Sequence, residues 1–230
     1  WFVPVKGFVA PAPGEHPRVL FRKSDVPALR QRAQTPEGKA ILARLRQLLG
    51  NNGEALPDTF NTTPPDNHDK SPDFPLGTFT TWHAAGFGLL YQVTGEKKYA
   101  ELSRGCVQFM LDGKVDIDNR YAWYMPGTDL RCGSVLAAMA YAYDLCYDAW
   151  PEDFRRKIAL EIQNFNKVTA SSEAGSNRRG GEPSSTTIKD LAGRNGYPPG
   201  SNHYGSLIGG TGVAMLAIKG DPGVDHAFVE

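Results

Sequence analysis

The sequence predicts an all-α protein assembled from consecutive helical hairpins, and three observations predict it. Apolar residues recur with the helical period in one segment after another. No segment alternates apolar and polar residues with a period of two. The periodic runs also begin and end on Pro, Ser, Thr and Gly signals at the length of single helices. Helices that each bury one stripe must pack on one another, and short connections make neighbours in sequence antiparallel.

The elements follow in order. Residues 1–22 carry Pro4, Pro11, Pro13 and Pro17 and read as an extended lead-in, because proline fixes φ and removes a donor. Residues 23–230 read as the helical domain. Ser24 is placed to cap a helix over 25–34 that holds Pro27 in its first turn. Thr35 and Pro36 repeat the start signal, and Ile41, Leu42, Leu45, Leu48 and Leu49 give the next helix an apolar face. After a Pro- and Asn-rich loop, Phe79, Trp82, His83, Gly86, Phe87 and Leu90 hold helical spacing until Thr94-Gly95 stops the run. Residues 96–111 start again, with Tyr99, Leu102, Cys106 and Met110 on one side, which makes a hairpin.

The clearest period lies in 129–147, where Cys132, Val135, Leu136, Met139, Tyr143 and Cys146 fall on one stripe. Pro151 opens the return helix, with Phe154, Ile158, Ile162 and Phe165 facing inward. Residues 171–201 are rich in Ser, Gly, Asn, Arg and Pro, and a loop longer than about 15 residues in a compact domain is usually functional or disordered. The last helix, over 202–219, has Tyr204, Leu207, Ile208, Met215 and Ile218 in one stripe, with Gly205, Gly209, Gly210 and Gly212 allowing close packing. Residues 221–230 read as the start of a further hairpin member, so the natural polypeptide is expected to continue.

Composition narrows the function classes. With 230 residues, 40% of them hydrophobic, the chain can bury a substantial core. Lys plus Arg and Asp plus Glu both number 25, so no global field draws nucleic acid or an acidic membrane, and a polyanion must be held by local charge. No helix-turn-helix or zinc module is present, and no apolar run approaches the roughly 20 residues that cross a bilayer. Cys106, Cys132 and Cys146 form no CxxC pair; Cys106 and Cys146 sit on apolar stripes and read as buried free thiols. No cofactor or metal is expected from these residues.

Several side chains are candidates for chemistry. Asn202 stands where a helix begins, either as a plain N-cap or as an amide donor beside free backbone N–H groups and the positive end of the helix dipole. His203 lies off the apolar stripe, and an imidazole with an unperturbed pKa of about 6.5 can take a proton near neutral pH. A helix-terminal His with a local hydrogen bond is the plainer alternative. Tyr204 lies on the stripe and reads as core. Arg131, at a helix start, opposes the dipole, which suits bidentate grip of a carboxylate or sulfate or else an ion pair with Asp129 or Asp144. His83 and Trp82 stand together on an apolar run, as core or cleft residues. Tyr121, Trp123 and Tyr124 form an aromatic cluster that either stacks on sugar faces or packs the hairpin. Arg178, Arg179, Lys189 and Arg194 form a basic group in the long loop, either for a polyanion or simply solvated.

Three segments in order resemble the heparinase II/III-like family of polysaccharide lyases. They are His16-Pro-Arg-Val-Leu-Phe21 with Asp25-Val-Pro-Ala-Leu29, then Asp129-Leu-Arg-Cys-Gly133 leading into Tyr143-Asp-Leu-Cys-Tyr-Asp148, and last Ser201-Asn-His-Tyr-Gly205. The resemblance implies an incomplete (α/α) toroid of helical hairpins, followed in the family by C-terminal β-sandwich domains. It implies β-elimination on a uronate-containing acidic polysaccharide such as heparin, heparan sulfate, chondroitin or alginate, by a periplasmic or secreted bacterial enzyme. Asn202 and His203 then stand at the reacting centre, with Arg131, His83, Trp82, Tyr124, Trp123 and Arg194 as substrate-binding candidates. The family's tyrosine is expected beyond Glu230, where a metal also has its place if one exists. Two other functions share the toroid: a glycoside hydrolase, which needs paired carboxylates from among Asp129, Asp144, Glu173 and Glu182, and a non-catalytic carbohydrate-binding protein.

Overall fold

The computed structural model describes residues 6–59, 74–114, 116–117, 123, 129–165, 188 and 198–225. The described residues fold into α1 (Val26–Ala33), α2 (Pro36–Leu48), α3 (His83–Thr94), α4 (Lys97–Leu111), α5 (Asp129–Cys146), α6 (Glu152–Gln163) and α7 (Asn202–Ile218), with 3-10 turns at Lys23–Asp25 and Asn51–Gly53. No strand occurs among them, so the all-α reading holds.

The start signals act as expected at α2, where Thr35 accepts a hydrogen bond from the Gly38 amide at 3.1 Å and Pro36 takes the first helical position. Ser24 does not cap. It lies inside the first 3-10 turn, because the Asp25 carboxylate reaches back to the Arg22 amide at 2.9 Å and closes the chain one step earlier. The apolar face of α2 is also thinner than its pattern: Leu49, just after the helix, is buried, but Ile41 and Leu48 are 61% and 42% exposed.

Two hairpins, α3–α4 and α5–α6, supply most of the core. Gly95 turns the first at φ +78°, a left-handed conformation that costs glycine little, and its amide donates to the Tyr91 carbonyl at 2.8 Å. Across that hairpin the Ser103 hydroxyl donates to the Ala84 carbonyl at 2.7 Å, and Phe79 meets Phe109 edge to face. The two outer helices touch where Trp150 Nε1 donates to the Ala100 carbonyl and Arg104 lies over the Phe154 ring. α4 and α6 are amphipathic, whereas α3 and α5 are covered nearly all round, as helices become when neighbours flank them on both sides. Leu136, Met139 and Tyr143 of α5 are among the fully buried side chains, each worth about 1.5–3 kcal/mol of transfer free energy when apolar and completely enclosed.

α3, α5 and α7 run in the same direction. Trp82, just ahead of α3, donates from Nε1 to the Ser134 hydroxyl near the start of α5 at 3.0 Å, while Gly88 and Gln92 further along α3 meet Leu145 near its end. At the other flank Gly133 approaches Ser206 and Gly210 of α7, and Tyr143 hydrogen-bonds Asp221 just past α7 at 2.6 Å. The Gly133–Gly210 contact is so close that a Cβ on either residue would overlap backbone of the other helix. The buried seam of α7 is therefore Leu207, Gly210, Thr211, Ala214, Ala217 and Ile218. Of the expected stripe, Leu207 and Ile218 are buried and Met215 packs on the core while partly exposed; Tyr204 and Ile208 are only half-buried, because the small residues are the ones that admit α5.

Part of the lead-in belongs to this core. His16 is 1% exposed and sits between Asp144 of α5, at 2.8 Å from Nδ1, and Asp221, at 3.1 Å from Nε2. The Arg18 and Val19 amides donate to Asp144, and Arg18 Nη2 donates to both Asp221 and the Ala217 carbonyl. The His16 ring also stacks on Tyr147, with centroids 3.8 Å apart.

Candidate functional site

Because α3, α5 and α7 are parallel, their N-terminal ends lie at one end of the molecule. That end carries five of the sequence candidates: Trp82 and His83 at α3, Arg131 at α5, and Asn202 and His203 at α7. The positive ends of three helix dipoles come together there, a setting that favours an anionic ligand.

The cap of α7 is Ser201, in extended conformation, whose hydroxyl accepts from the Tyr204 amide at 3.1 Å. Asn202 is consequently the first helical residue rather than the cap. Its side chain is exposed, its Oδ1 accepts from the His203 amide at 3.0 Å, and its Nδ2 donates to no described residue. His203 is half-buried, as is Tyr204. Arg131 is half-buried on the first turn of α5. It does not pair with Asp144, which is committed to His16 and two backbone amides further along that helix.

Trp82 is 44% exposed, with its indole N–H held by Ser134 and its ring 6.0 Å from that of Tyr141. His83 is unlike its neighbour. It is 5% exposed, and its Nδ1 accepts from the Thr80 amide at 2.9 Å, closing the turn that leads into α3. Burial pushes its pKa down to about 4, an effect the Thr80 and Gly77 backbone only partly offsets. The imidazole is neutral at physiological pH, with its proton on the enclosed Nε2. The cleft reading of His83 is therefore corrected to a core histidine.

Trp123 is also buried, at 2% exposure, donating to Glu161 at 3.2 Å and packing edge to face on Phe165. It fills the interior beside α6 and offers no open ring. Tyr121, Tyr124, Arg178, Arg179, Lys189 and Arg194 lie outside the described residues, as do Glu173 and Glu182. Of the carboxylates weighed for hydrolysis, Asp144 is enclosed with His16, far along α5 from the candidate end.

The chain also has a cavity of about 230 Å³ between Gly50-Asn51, Asp58-Thr59 and the turn around Gly77-Thr78. No His, Cys, Asp and Glu group among the described residues could hold a metal ion. No helix among them is long and apolar enough to cross a membrane. Sequence reasoning missed that His16, Arg18, Tyr143, Asp144 and Asp221 form one buried cluster, although the segments His16–Phe21 and Tyr143–Asp148 that carry the family resemblance hold four of the five residues.

No protein-family model, curated protein or solved structure matches this chain.

Proposed function

We propose that this chain is the helical part of a polysaccharide lyase that cleaves a uronate-containing acidic polysaccharide by β-elimination. The observation that carries the proposal is the grouping of Asn202, His203, Arg131 and Trp82 at the shared N-terminal end of three parallel helices. The parallel inner helices with amphipathic helices outside them support an incomplete (α/α) toroid as the full architecture, and the β-sandwich domains and extracytoplasmic location belong to the same proposal.

In such a reaction the C5–H bond of the uronate breaks, its electron pair becomes the C4–C5 double bond, and the C4–O bond breaks with the leaving oxygen taking a proton. The difficulty is charge: a carbanion beside an ionised carboxylate is disfavoured until donors neutralise that carboxylate. The exposed Asn202 amide, released from capping by Ser201, suits this role, together with the helix dipoles behind it. Arg131 suits a second carboxylate or sulfate, and His203 suits proton transfer or carboxylate binding. The exposed Trp82 ring suits the apolar face of a sugar.

The test is ultraviolet absorbance of unsaturated product when the protein, in the longest form that contains this chain, meets a panel of uronate polymers. Product from at least one polymer supports the lyase. No product from any, where a control lyase works, removes it.

A further inference from the structure

The geometry points to His16 as a buried imidazolium that latches α5 to α7 and thereby positions Asn202 and His203 from the opposite end of the helix pair. The positional half rests on the lyase reading; the ionic half does not.

Both ring nitrogens face carboxylate oxygens, Nδ1 that of Asp144 at 2.8 Å and Nε2 both oxygens of Asp221 at 3.1 Å. A neutral imidazole has one donor and one acceptor, so one nitrogen would set a lone pair against a carboxylate. A doubly protonated ring satisfies both contacts. It also balances the charges, since the enclosed group then contains two cations, His16 and Arg18, against two anions, Asp144 and Asp221. All four side chains are 6% exposed or less, so an uncompensated charge among them would be costly. The other facing groups are Tyr143 and Tyr147. The Tyr143 hydroxyl donates to Asp221, and burial followed by the Asp221 charge holds it well above its ordinary pKa, so it stays a neutral donor.

The latch stands where register has to be set. At the N-terminal end, α5 and α7 meet through Gly133 and Gly210, a close contact that fixes their separation. At the C-terminal end, Asp144 belongs to α5, and Asp221 follows α7 after the Lys219-Gly220 turn. His16 joins the two, and Arg18 adds a bond to the Ala217 carbonyl. One contact acts as a pivot and the other as a clamp.

The test is nitrogen-15 NMR of the histidine side chains at pH 7, with the His16 ring assigned by correlation to its own backbone amide in the unsubstituted protein. Both His16 ring nitrogens are expected at protonated shifts in the unsubstituted protein, a measurement that does not depend on the variant folding. A His16 ring with one unprotonated nitrogen overturns the inference. In folded His16→Gln the His203 ring signals are expected to move while those of His83, which is closed on Thr80, stay in place. Unmoved His203 signals overturn the positioning role. Absence of lyase product alongside these shifts would defeat the functional reading and leave the latch standing.

Discussion

Gly133 of α5 and Gly210 of α7 meet backbone to backbone, so closely that neither has room for a methyl group. Either substitution to Ala should destabilise the protein by about 1–3 kcal/mol, the usual cost of forcing atoms into a filled contact. Gly209 faces open space on the same helix. Gly209→Ala should instead be neutral or stabilise by up to about 1 kcal/mol, because alanine is the better helix former. Urea unfolding of the three variants checks both signs.

At the start of α7 the capping and binding duties fall on different residues, and substitutions should separate them. Ser201→Ala should cost about 0.5–2 kcal/mol of stability. Asn202→Asp should leave stability unchanged or raise it slightly, since an anion at a helix N-terminus is worth about 0.3–1 kcal/mol. On the proposed function, the same change sets a negative charge against the substrate carboxylate and should abolish most product formation. Equal activity of Asn202→Asp and the unsubstituted protein would count against the role given to Asn202.

His203→Ala should lower the rate of unsaturated product formation by about 10²- to 10⁴-fold, the usual contribution of one positioned acid or base. Thermal unfolding should be nearly unaffected, because this side chain is only half-buried. A non-catalytic carbohydrate-binding protein would instead keep its behaviour after this change.

Stability should fall as the solution is acidified through the range set by His83. In the folded state burial holds its pKa near 4, below the unfolded value of 6.5, so the unfolded chain binds the extra proton between those values. The contribution is fully present above pH 6.5 and is lost as the pH falls toward 4, amounting to on the order of 3 kcal/mol for a shift of this size. Urea titrations from pH 7 to pH 4 should show this slope, and His83→Gln should flatten it.

Cys106 and Cys146 should resist thiol reagents in the native protein and react once it unfolds. Both are fully enclosed, and burial pushes the Cys146 thiol up to about 12 and Cys106 higher still. Labelling with and without denaturant, followed by mass spectrometry, measures the difference.

Much of the fold was legible because its signals are local. The stripe of α5, the Thr35-Pro36 start and the Thr94-Gly95 stop each lie within one or two turns of chain, and the helices follow them. The seam between α5 and α7 was half legible: four glycines announced close packing, but only contact with Gly133 selects Gly210 from among them. His16 was illegible as an interior residue, since its partners Asp144 and Asp221 lie 128 and 205 positions away. Spacing likewise could not say that Ser201 would cap in place of Asn202, because both types accept from helix amides equally well. Nor could it separate Trp82 from Trp123: one is held open by Ser134, while the other is enclosed by Glu161 and Phe165.

The enclosure of His16 also relocates the natural border of the folded unit. Judged by helices alone, the first dispensable stretch would run up to residue 22, and a shortened version would be cut there. Such trimming would remove His16 and Arg18 together, take away the cations and backbone amides that pair Asp144 and Asp221, and open the α5–α7 seam to water. Anyone expressing this protein should therefore keep the chain from Glu15 onward.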